Sequence, residues 1–450
     1  MPENQSIEFK RYWIYFFSIN YLFQGLVTSI FAVIMPIYML ILISSIGAEI
    51  TASDIAFIVS IVLMPWAIKV IFGILSDRFG IKNFGRRKPW IIIPVCVSGL
   101  MWIILPFLIT PYNVVFIITL IGIIISTGVA IGDTALDGLI LDVCPREQLG
   151  RAQGTCWGFR SVGQIAGGPL LAFLIVSLSI EVNFLFIMVG ILMIISSFLI
   201  LVVKEPKIYE RVMIVQNLKN MLTQKKDWKM YLFAIFNAFI DGVILIFISL
   251  YILIQMGYIA SEGASLELLE TTTETRLYVL QANITFIVGI GIIIGSIIGG
   301  VYSDIKSRRY SVYLALIITT VALIFMIIPM VWFILLLIAC FTGLGMGWRH
   351  SSYSAVLGEL AKRYPEMDST YFSLANSFVN VGTVLGLSVI GLIFEQTGSF
   401  IIGFLAMALF NNLGLLPFLL LKSEDYELKK RAKTLKESST SATEILKPEP

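Results

Sequence analysis

Twelve apolar runs, separated by short polar turns, constrain the fold of this chain more than any other feature. About 20 residues of helix span the roughly 30 Å hydrocarbon core of a bilayer, whereas a membrane-spanning β-strand needs only about ten residues. The composition agrees with helical spans, because 58% of the residues are hydrophobic and 14% are charged, against about a quarter charged in soluble domains. The sequence therefore predicts an all-α integral membrane protein with 12 transmembrane helices.

The basic residues are distributed unevenly between the two sides of the predicted membrane. All but four of the 32 Lys and Arg residues fall in the loops and termini of one side, and the exceptions are Lys69, Arg160, Arg276 and Arg349. Lys and Arg concentrate in cytoplasmic loops. We therefore expect both termini and the central loop on the cytoplasmic side of a multi-pass protein in the cell membrane.

The two halves of the sequence repeat three patterns in the same order. The matching segments are 20–25 with 237–242, 73–77 with 300–304, and 162–167 with 381–386. Such repeats are typical of transporters built from two units related by an axis along the membrane normal. We therefore predict an N-terminal six-helix bundle, a cytoplasmic linker, a C-terminal six-helix bundle and a flexible cytoplasmic tail, over residues 1–203, 204–229, 230–421 and 422–450 respectively.

The loop after the second helix carries the most specific motif. It contains Gly73, Asp77, Arg78 and Gly80, followed after the insertion 81–85 by a basic run. This pattern resembles the signature loop of the major facilitator superfamily, and its details are similar to the acetyl-coenzyme A transporter and muropeptide permease branches. The resemblance covers nearly the whole chain and implies two pseudo-symmetric six-helix bundles. It also implies a gating motif made of Gly73, Asp77, Arg78, Arg86 and Arg87, with Asp304 and Arg308 in the second half.

Polar side chains inside the apolar helices form a second set of candidates. Buried charges in membranes are expensive and usually functional. With about 1.5 Å of rise per residue, most of them lie roughly 15 to 20 Å from the expected cytoplasmic end of their helix, which is the midplane, and Asp137 lies about 10 Å deep. The resemblance implies that helices 1, 4, 7 and 10 line a central cavity. The predicted substrate-binding and coupling residues are Gln24, Asp133, Asp137, Arg160, Asp241, Arg349, Asn376 and Asn380.

The two buried arginines have alternative interpretations. Arg160 forms either a static ion pair with Asp133 or a pair that opens when substrate or a proton competes for it. Arg349 either pairs with Asp241 or holds a phosphate or carboxylate group of a substrate, since a guanidinium binds such groups through two parallel hydrogen bonds. Both alternatives stay open at this point.

Three further features have less specific interpretations. His350, the single histidine, is a packing residue or a proton relay, and its position turns it about 100° away from Arg349 around the helix. Lys69 is expected to extend its amine towards the cytoplasmic surface or vestibule. The glycines around Pro169 in helix 5 favour close helix packing and a hinge.

These features together predict a secondary active transporter in which two bundles rock about a midplane site. We expect it to move a small anionic or polar metabolite with protons, coupled through Asp133, Asp137 or Asp241. Two alternatives remain open: a non-transporting protein of the same fold that assists assembly or senses a ligand, and a facilitative uniporter or exchanger of a neutral solute.

The sequence also bears on enzyme activity, cofactors and partners. No Walker loop, metal-ligand spacing or nucleic-acid module occurs in it, so we predict no enzyme activity, no cofactor and no metal site. The expected partners are a small-molecule substrate, a proton or another coupling ion, and the lipid bilayer, with no nucleic acid. We expect the protein to be a monomer.

Overall fold

The structure is a computed structural model that describes residues 9–81, 84–144, 146–205, 214–263, 265–269, 274–328, 330–361 and 368–427. Within these residues, 12 helices are long and apolar enough to cross a membrane. The predicted all-α fold with 12 spans is therefore confirmed. We number the spans helix 1 to helix 12 in chain order.

Helices 1 to 6 form the N-terminal bundle and helices 7 to 12 the C-terminal bundle. The N-terminal helices are Trp13–Ser29 with Ile30–Ile34 and Met35–Ser44, Ala52–Ala67 with Lys69–Arg78, Lys88–Leu108, Val114–Val143, Arg146–Ile165 with Ala166–Leu170 and Leu171–Ser177, and Val182–Phe198 with Leu199–Val202. The C-terminal helices are Lys225–Ala238 with Asp241–Gln255, Glu274–Ile305, Arg308–Phe325, Trp332–Ala361, Asp368–Thr397, and Phe400–Leu413 with Leu415–Leu419.

Several helices are interrupted within the membrane. Helix 2 contains Pro65 and breaks at Ile68, as expected where proline removes a backbone N–H and crowds the preceding turn. Helix 5 changes to a π-helical turn around Pro169, at the position where the sequence predicts a hinge. Helix 7 is interrupted by a turn at Phe239 and Ile240. The breaks in helices 2 and 7 release backbone groups near the predicted midplane.

Glycines bring equivalent helices together in the two bundles. A Cβ atom on Gly163 of helix 5 would collide with the carbonyl oxygen of Leu22 in helix 1. A Cβ atom on Gly382, the counterpart of Gly163 in helix 11, would likewise collide with the carbonyl oxygen of Ile235 in helix 7. Small residues permit this close backbone approach in membrane helices. The repeat found in the sequence therefore corresponds to the same packing contact in both halves.

A three-stranded sheet joins the bundles at one membrane face. Strand β1 (Ile50–Thr51), in the first loop of the N-terminal bundle, pairs antiparallel with β3 (Ser265–Leu268), which also pairs with β2 (Ile259–Glu262). Strands β2 and β3 lie between helices 7 and 8 of the C-terminal bundle. We call this end of the molecule the sheet face, and the opposite end, which holds residues 84–88 and 306–309, the basic face.

The two bundles contact each other mainly between the midplane and the sheet face. Helix 11 packs along the first segment of helix 2, and helix 8 packs along the last two segments of helix 5. The hydroxyl oxygens of Ser60 in helix 2 and Ser388 in helix 11 lie 2.7 Å apart. In the described part of the chain, the interface between the bundles is therefore tighter at the sheet face than at the basic face.

Parts of the predicted linker and tail are regular structure. Ile214–Thr223 forms a helix before helix 7, and Ser423–Asp425 forms a 3₁₀ turn after helix 12. Tyr426 is buried, with its ring centroid 5.5 Å from that of Phe418. The first residues of the predicted flexible tail therefore pack against helix 12, and the extent of the tail stays a prediction. The remaining boundaries stay predictions, and residues 206–213 and 428–450 lie outside the described chain.

Candidate functional site

The N-terminal bundle buries an ion pair at the break in helix 2. Lys69 Nζ lies 3.3 Å from Asp133 Oδ2 in helix 4, and the two side chains are 9% and 2% exposed. Lys69 begins the second segment of helix 2, and its carbonyl oxygen accepts a hydrogen bond from the Thr134 hydroxyl at 3.4 Å. Breaking such a buried pair by removing one partner costs about 3–5 kcal/mol. We call this the N pair.

The N pair corrects two expectations from the sequence. Asp133 pairs with Lys69 and not with Arg160, whose guanidinium lies 5.1 Å from the ring centre of Trp66. Lys69 is buried between helices and does not extend to the surface. The physical reason is the break at Ile68, where the backbone leaves the helical conformation. The break changes the direction in which the next residue points, so that Lys69 faces helix 4.

The other N-terminal candidates lie near the N pair but inside their own bundle. The Tyr21 hydroxyl of helix 1 donates a hydrogen bond to Asp137, which is partly exposed and lies one turn from Asp133 towards the basic face. Gln24 is buried and lines a small cavity between helices 1, 3, 4 and 6. Its Oε1 has no hydrogen-bond partner among the described residues. Gln24 therefore faces the interior of the N-terminal bundle and not the space between the bundles.

In the C-terminal bundle, Asp241 holds two neighbouring side chains of helix 10. Arg349 donates a hydrogen bond to Asp241 Oδ1, and His350 Nε2 lies 3.2 Å from Asp241 Oδ2. Arg349 Nη1 also donates to Asn411 Oδ1 in helix 12 at 2.7 Å. The Asn411 amide donates in turn to the Leu316 carbonyl oxygen of helix 9 at 3.1 Å. We call Asp241, Arg349 and His350 the C triad.

The members of the C triad differ in exposure. Arg349 is 1% exposed, Asp241 13% and His350 52%. Lipid tails offer no hydrogen-bond partner to an imidazole nitrogen, so a half-exposed histidine at this depth is favoured where it reaches a water-filled space. Its Nε2 contacts Asp241, which is only 13% exposed, so His350 lies where a proton relay to that carboxylate would need to be.

The C triad selects one of the two interpretations of Arg349, since the guanidinium pairs with Asp241. Of the two interpretations of His350, its contact with Asp241 agrees with the relay. Asn411 is a functional candidate that the sequence argument missed, and Lys69 is one whose orientation it misplaced. Asn411 stands beside a second asparagine in an otherwise apolar helix, and Lys69 follows a proline in a span. Those two signals were available in the sequence.

Asn380 of helix 11 connects the two bundles at the level of the N pair. Its amide donates to the carbonyl oxygen of Trp66 at 3.1 Å. This oxygen lies at the break in helix 2, where continuous helical hydrogen bonding ends, so a side-chain donor is needed there. Asn376 lies one turn nearer the basic face, is partly exposed, and makes no hydrogen bond to the described residues. Asn380 is therefore engaged between the bundles.

Two arginines of the predicted gating loop hold the basic face of the N-terminal bundle together. Arg86 Nη2 and Arg87 Nε lie 3.1 and 3.2 Å from Asp142 Oδ2 at the end of helix 4. Glu205, which follows helix 6, accepts hydrogen bonds from the backbone N–H groups of residues 86–88 at 2.7, 3.1 and 2.8 Å. Helix 3 begins there, so the carboxylate lies at the positive end of its dipole. We call this the N clasp.

An equivalent C clasp closes the basic face of the C-terminal bundle. Arg308 Nη1 lies 3.0 Å from Glu359 Oε2 at the end of helix 10. Glu427, which follows helix 12, accepts hydrogen bonds from the Arg308 and Arg309 backbone N–H groups at 3.3 and 2.9 Å and from the Ser307 hydroxyl at 2.6 Å. Each clasp joins helices of a single bundle, so these contacts keep each bundle rigid.

The remaining gating residues are less informative. A Cβ atom on Gly73 would lie 3.0 Å from the Thr134 methyl group, so a glycine there permits close approach of helices 2 and 4. The side chains of Asp77, Arg78 and Asp304 lie outside the described part of the structure. Their gating role stays a prediction.

Known proteins resemble this chain in sequence. The sequence profile of the Major Facilitator Superfamily matches residues 17–269 and 268–450. The transporter named AmpG 1 of Rickettsia conorii is 26% identical over 357 residues, which is 72% of this chain and 79% of that protein. Folate-biopterin transporter 4 of Arabidopsis thaliana is 26% identical over 140 residues, which is 30% of this chain and only 28% of that relative.

Solved structures resemble the chain in fold. A D-xylose-proton symporter superposes with a TM-score of 0.68 at 14% identity, covering 91% of this chain and 97% of that one. A bacterial homologue of the human lysosomal transporter Spinster, in an inward-facing and unoccupied conformation, superposes with a TM-score of 0.64 at 13% identity, covering 91% and 98%. At such low identity the likeness establishes the shared fold alone.

Proposed function

The chain belongs to the Major Facilitator Superfamily, and from that premise we propose that it moves a small anionic or polar metabolite together with a proton by alternating access. It is a multi-pass transporter of the cell membrane and not an enzyme. The observation that carries the finer proposal is the C triad, in which a buried arginine and a half-exposed histidine share one carboxylate.

The packing of the bundles supports one particular state of the transport cycle. The interface is tight at the sheet face, and alternating access requires that one side close while the other opens. With the basic face in the cytoplasm, as the distribution of Lys and Arg predicts, this arrangement is the inward-open state. Opening the other side requires β1 to separate from β3, with Ile50 and Leu266 as directly paired residues.

The C triad supplies a mechanism that couples a proton to an anion. While Asp241 is ionised, it neutralises Arg349, and a substrate anion has to compete with it. A proton taken from water by His350 and passed to Asp241 removes the negative charge. Arg349 is then a buried cation without a counter-ion, which is unfavourable unless an anionic group of the substrate replaces the carboxylate. Proton and anion therefore bind together, which is symport.

The N pair and Asn380 have a supporting role in this proposal. Lys69 and Asp133 neutralise each other inside the N-terminal bundle, and Asn380 contacts the adjacent break in helix 2 from the other bundle. Rocking that separates helices 2 and 11 breaks this hydrogen bond. The position of the N pair is thereby linked to the conformational state, with no need for it to bind protons.

A ligand screen followed by uptake tests the proposal. Purified protein is heated with folates, biopterin, acyl-coenzyme A, nucleotides, amino sugars and neutral sugars at several pH values, and hits are assayed in proteoliposomes. Folates are screened first, because one relative is named a folate-biopterin transporter and folates carry carboxylates. We expect an anionic compound whose uptake follows an imposed pH gradient. Uptake of a neutral solute without pH dependence favours the uniporter or exchanger, and binding without any uptake favours the non-transporting alternative.

A further inference from the structure

A groove lies at the seam between the two bundles, apart from both charge clusters. It has a volume of about 240 Å³. It is formed by the sheet-face segments of helix 5 and helix 8, which both cross the membrane. Two phenylalanines on its walls, Phe173 and Phe286, are 57% and 51% exposed. The lining residues are Pro169, Ala172, Phe173, Val279, Ala282, Asn283 and Phe286.

One polar side chain, Asn283, stands in this apolar groove without a partner in the described part of the protein. Neighbouring polar side chains of helix 8 are satisfied: the Gln281 amide donates to the Ser249 hydroxyl at 3.0 Å, and the Thr285 hydroxyl donates to the Gln281 carbonyl oxygen at 2.8 Å. Asn283 is exposed, and so are Phe173 and Phe286 beside it, a largely apolar surface that suits lipid better than water. An unpaired amide facing hydrocarbon is unfavourable, so a hydrogen-bond acceptor from the membrane is needed there.

A positive charge lies on the same face of helix 8, nearer the membrane surface. Arg276 precedes Asn283 by seven residues, which is about 20° short of two full turns. Its side chain is exposed, with the guanidinium 4.8 Å from the ring centre of Tyr258. The groove therefore presents an apolar wall, then an amide, then a cation in order towards the sheet face.

The depths of these groups match the parts of a lipid. The apolar span of helix 8, Arg276–Ser303, has 28 residues, or about 42 Å, and extends roughly 6 Å beyond each side of a 30 Å hydrocarbon core if it is centred. Asn283 then lies about 5 Å below the hydrocarbon boundary, and Arg276 lies outside it. Because helical side chains tilt towards the helix N-terminus, the Asn283 amide extends towards the ester carbonyls at the hydrocarbon boundary, and Arg276 lies at the level of the phosphates.

We propose that this groove is a binding site for one anionic glycerophospholipid of the sheet-face leaflet. An acyl chain packs against Phe173 and Phe286, an ester carbonyl accepts a hydrogen bond from Asn283, and the phosphate and headgroup charge face Arg276. Because helix 5 and helix 8 belong to different bundles, the lipid contacts both and stabilises the arrangement in which they adjoin. The proposal is independent of the transported substrate.

Native mass spectrometry of the full-length protein tests the site. Protein in dodecyl maltoside is mixed with dioleoyl phosphatidylglycerol or dioleoyl phosphatidylcholine, and retained lipids are counted. We expect one phosphatidylglycerol per chain in preference to phosphatidylcholine. Asn283→Leu should weaken retention of both lipids about fivefold, the value of one hydrogen bond. Arg276→Ala should weaken retention of phosphatidylglycerol about fivefold and leave retention of phosphatidylcholine unchanged.

Two controls keep the result interpretable. Arg309→Ala removes an exposed arginine at the basic face and should not change retention at this site. Thermal unfolding of each variant in lipid-free detergent shows whether it is folded, and Asn283→Gln should recover part of the binding. Equal retention by wild type, Asn283→Leu and Arg276→Ala would overturn the proposal, and so would equal retention of the two lipids by the wild type.

Discussion

The two bundles have the same clasp at the basic face but different charge clusters at the midplane. In both clasps, a glutamate that follows the last helix of the bundle caps the third helix of that bundle, and an arginine pairs with an acid at the end of the fourth. In the membrane, the N pair is nearly covered, whereas the C triad ends in a half-exposed histidine. The clasps, which the bundles share, have a structural role. The midplane clusters differ, and we place proton coupling in the C triad.

This difference shows why two buried acids of similar depth need not have the same role. Asp133 has an amine as its partner and is 2% exposed. Asp241 has a guanidinium on one oxygen and an imidazole on the other. A carboxylate can exchange protons during transport only where a group in contact with water reaches it. The comparison therefore assigns stability to the N pair and exchange to the C triad.

The largest expected effect is the loss of stability when one partner of a buried pair is removed. Arg349→Met and Lys69→Met each remove the cation that neutralises a buried carboxylate and should destabilise the protein by about 3–5 kcal/mol. The double variants Arg349→Met with Asp241→Asn and Lys69→Met with Asp133→Asn should recover most of that loss. Unfolding in detergent measures this. Double variants no more stable than the single ones would show that these pairs do not neutralise each other.

Replacing the acids separates the two halves by function. Asp241→Asn keeps the size of the side chain but cannot bind the transported proton, so pH-gradient-driven uptake should fall by about 100-fold, while exchange of substrate without a gradient persists. Asp133→Asn should reduce driven uptake by less than about tenfold. Both rates are measured in proteoliposomes. Equal losses of uptake, or a larger loss for Asp133→Asn, would contradict the assignment of proton coupling to Asp241 in the C-terminal bundle.

The histidine should have an intermediate effect. His350→Gln retains a polar side chain but cannot relay protons, so driven uptake should slow by about tenfold near neutral pH. Because His350 is the single histidine of the chain, diethyl pyrocarbonate offers an independent check on protein purified with a histidine-free tag. The reagent should inhibit the wild type and leave His350→Gln unchanged, and equal inhibition of both would remove His350 from the mechanism.

The smallest effect should be equal in the two halves. Glu205→Gln and Glu427→Gln each weaken a helix cap and should lower the free energy of unfolding by about 1–2 kcal/mol. Glu424→Gln, at an exposed position of the same C-terminal segment, is the matched control and should have no effect. A loss of unfolding free energy in only one of the two variants would show that the two clasps do not have the same structural role.

Much of this architecture follows from the sequence. Twelve spans are set by the length of apolar runs, and the repeat is set by glycines that have the same packing role in helices 5 and 11. The depth count also brought Asp241 and Arg349 to the same level. It could not decide between their two interpretations, because pairing depends on the rotation of helices 7 and 10, which depth does not specify.

The errors arose where the backbone departs from a regular helix or where distant segments meet. Lys69 pairs with Asp133 because helix 2 breaks just before it, whereas a continuous helix directs it elsewhere. His350 lies about 100° from Arg349 around helix 10, yet both reach Asp241, since a carboxylate has two oxygens and both side chains are long enough to approach it. Glu205 and Glu427 cap helices that begin more than a hundred residues earlier, which no local pattern indicates.

Proton uptake on ligand binding tests the central claim most directly. Titration calorimetry at neutral pH, in buffers of different ionisation enthalpy, counts the protons that the protein binds with its substrate. For the wild type and for Asp133→Asn we predict uptake of close to one proton per bound anion, and for Asp241→Asn close to none. Full proton uptake by Asp241→Asn, or its loss in Asp133→Asn alone, would contradict coupling through the C triad.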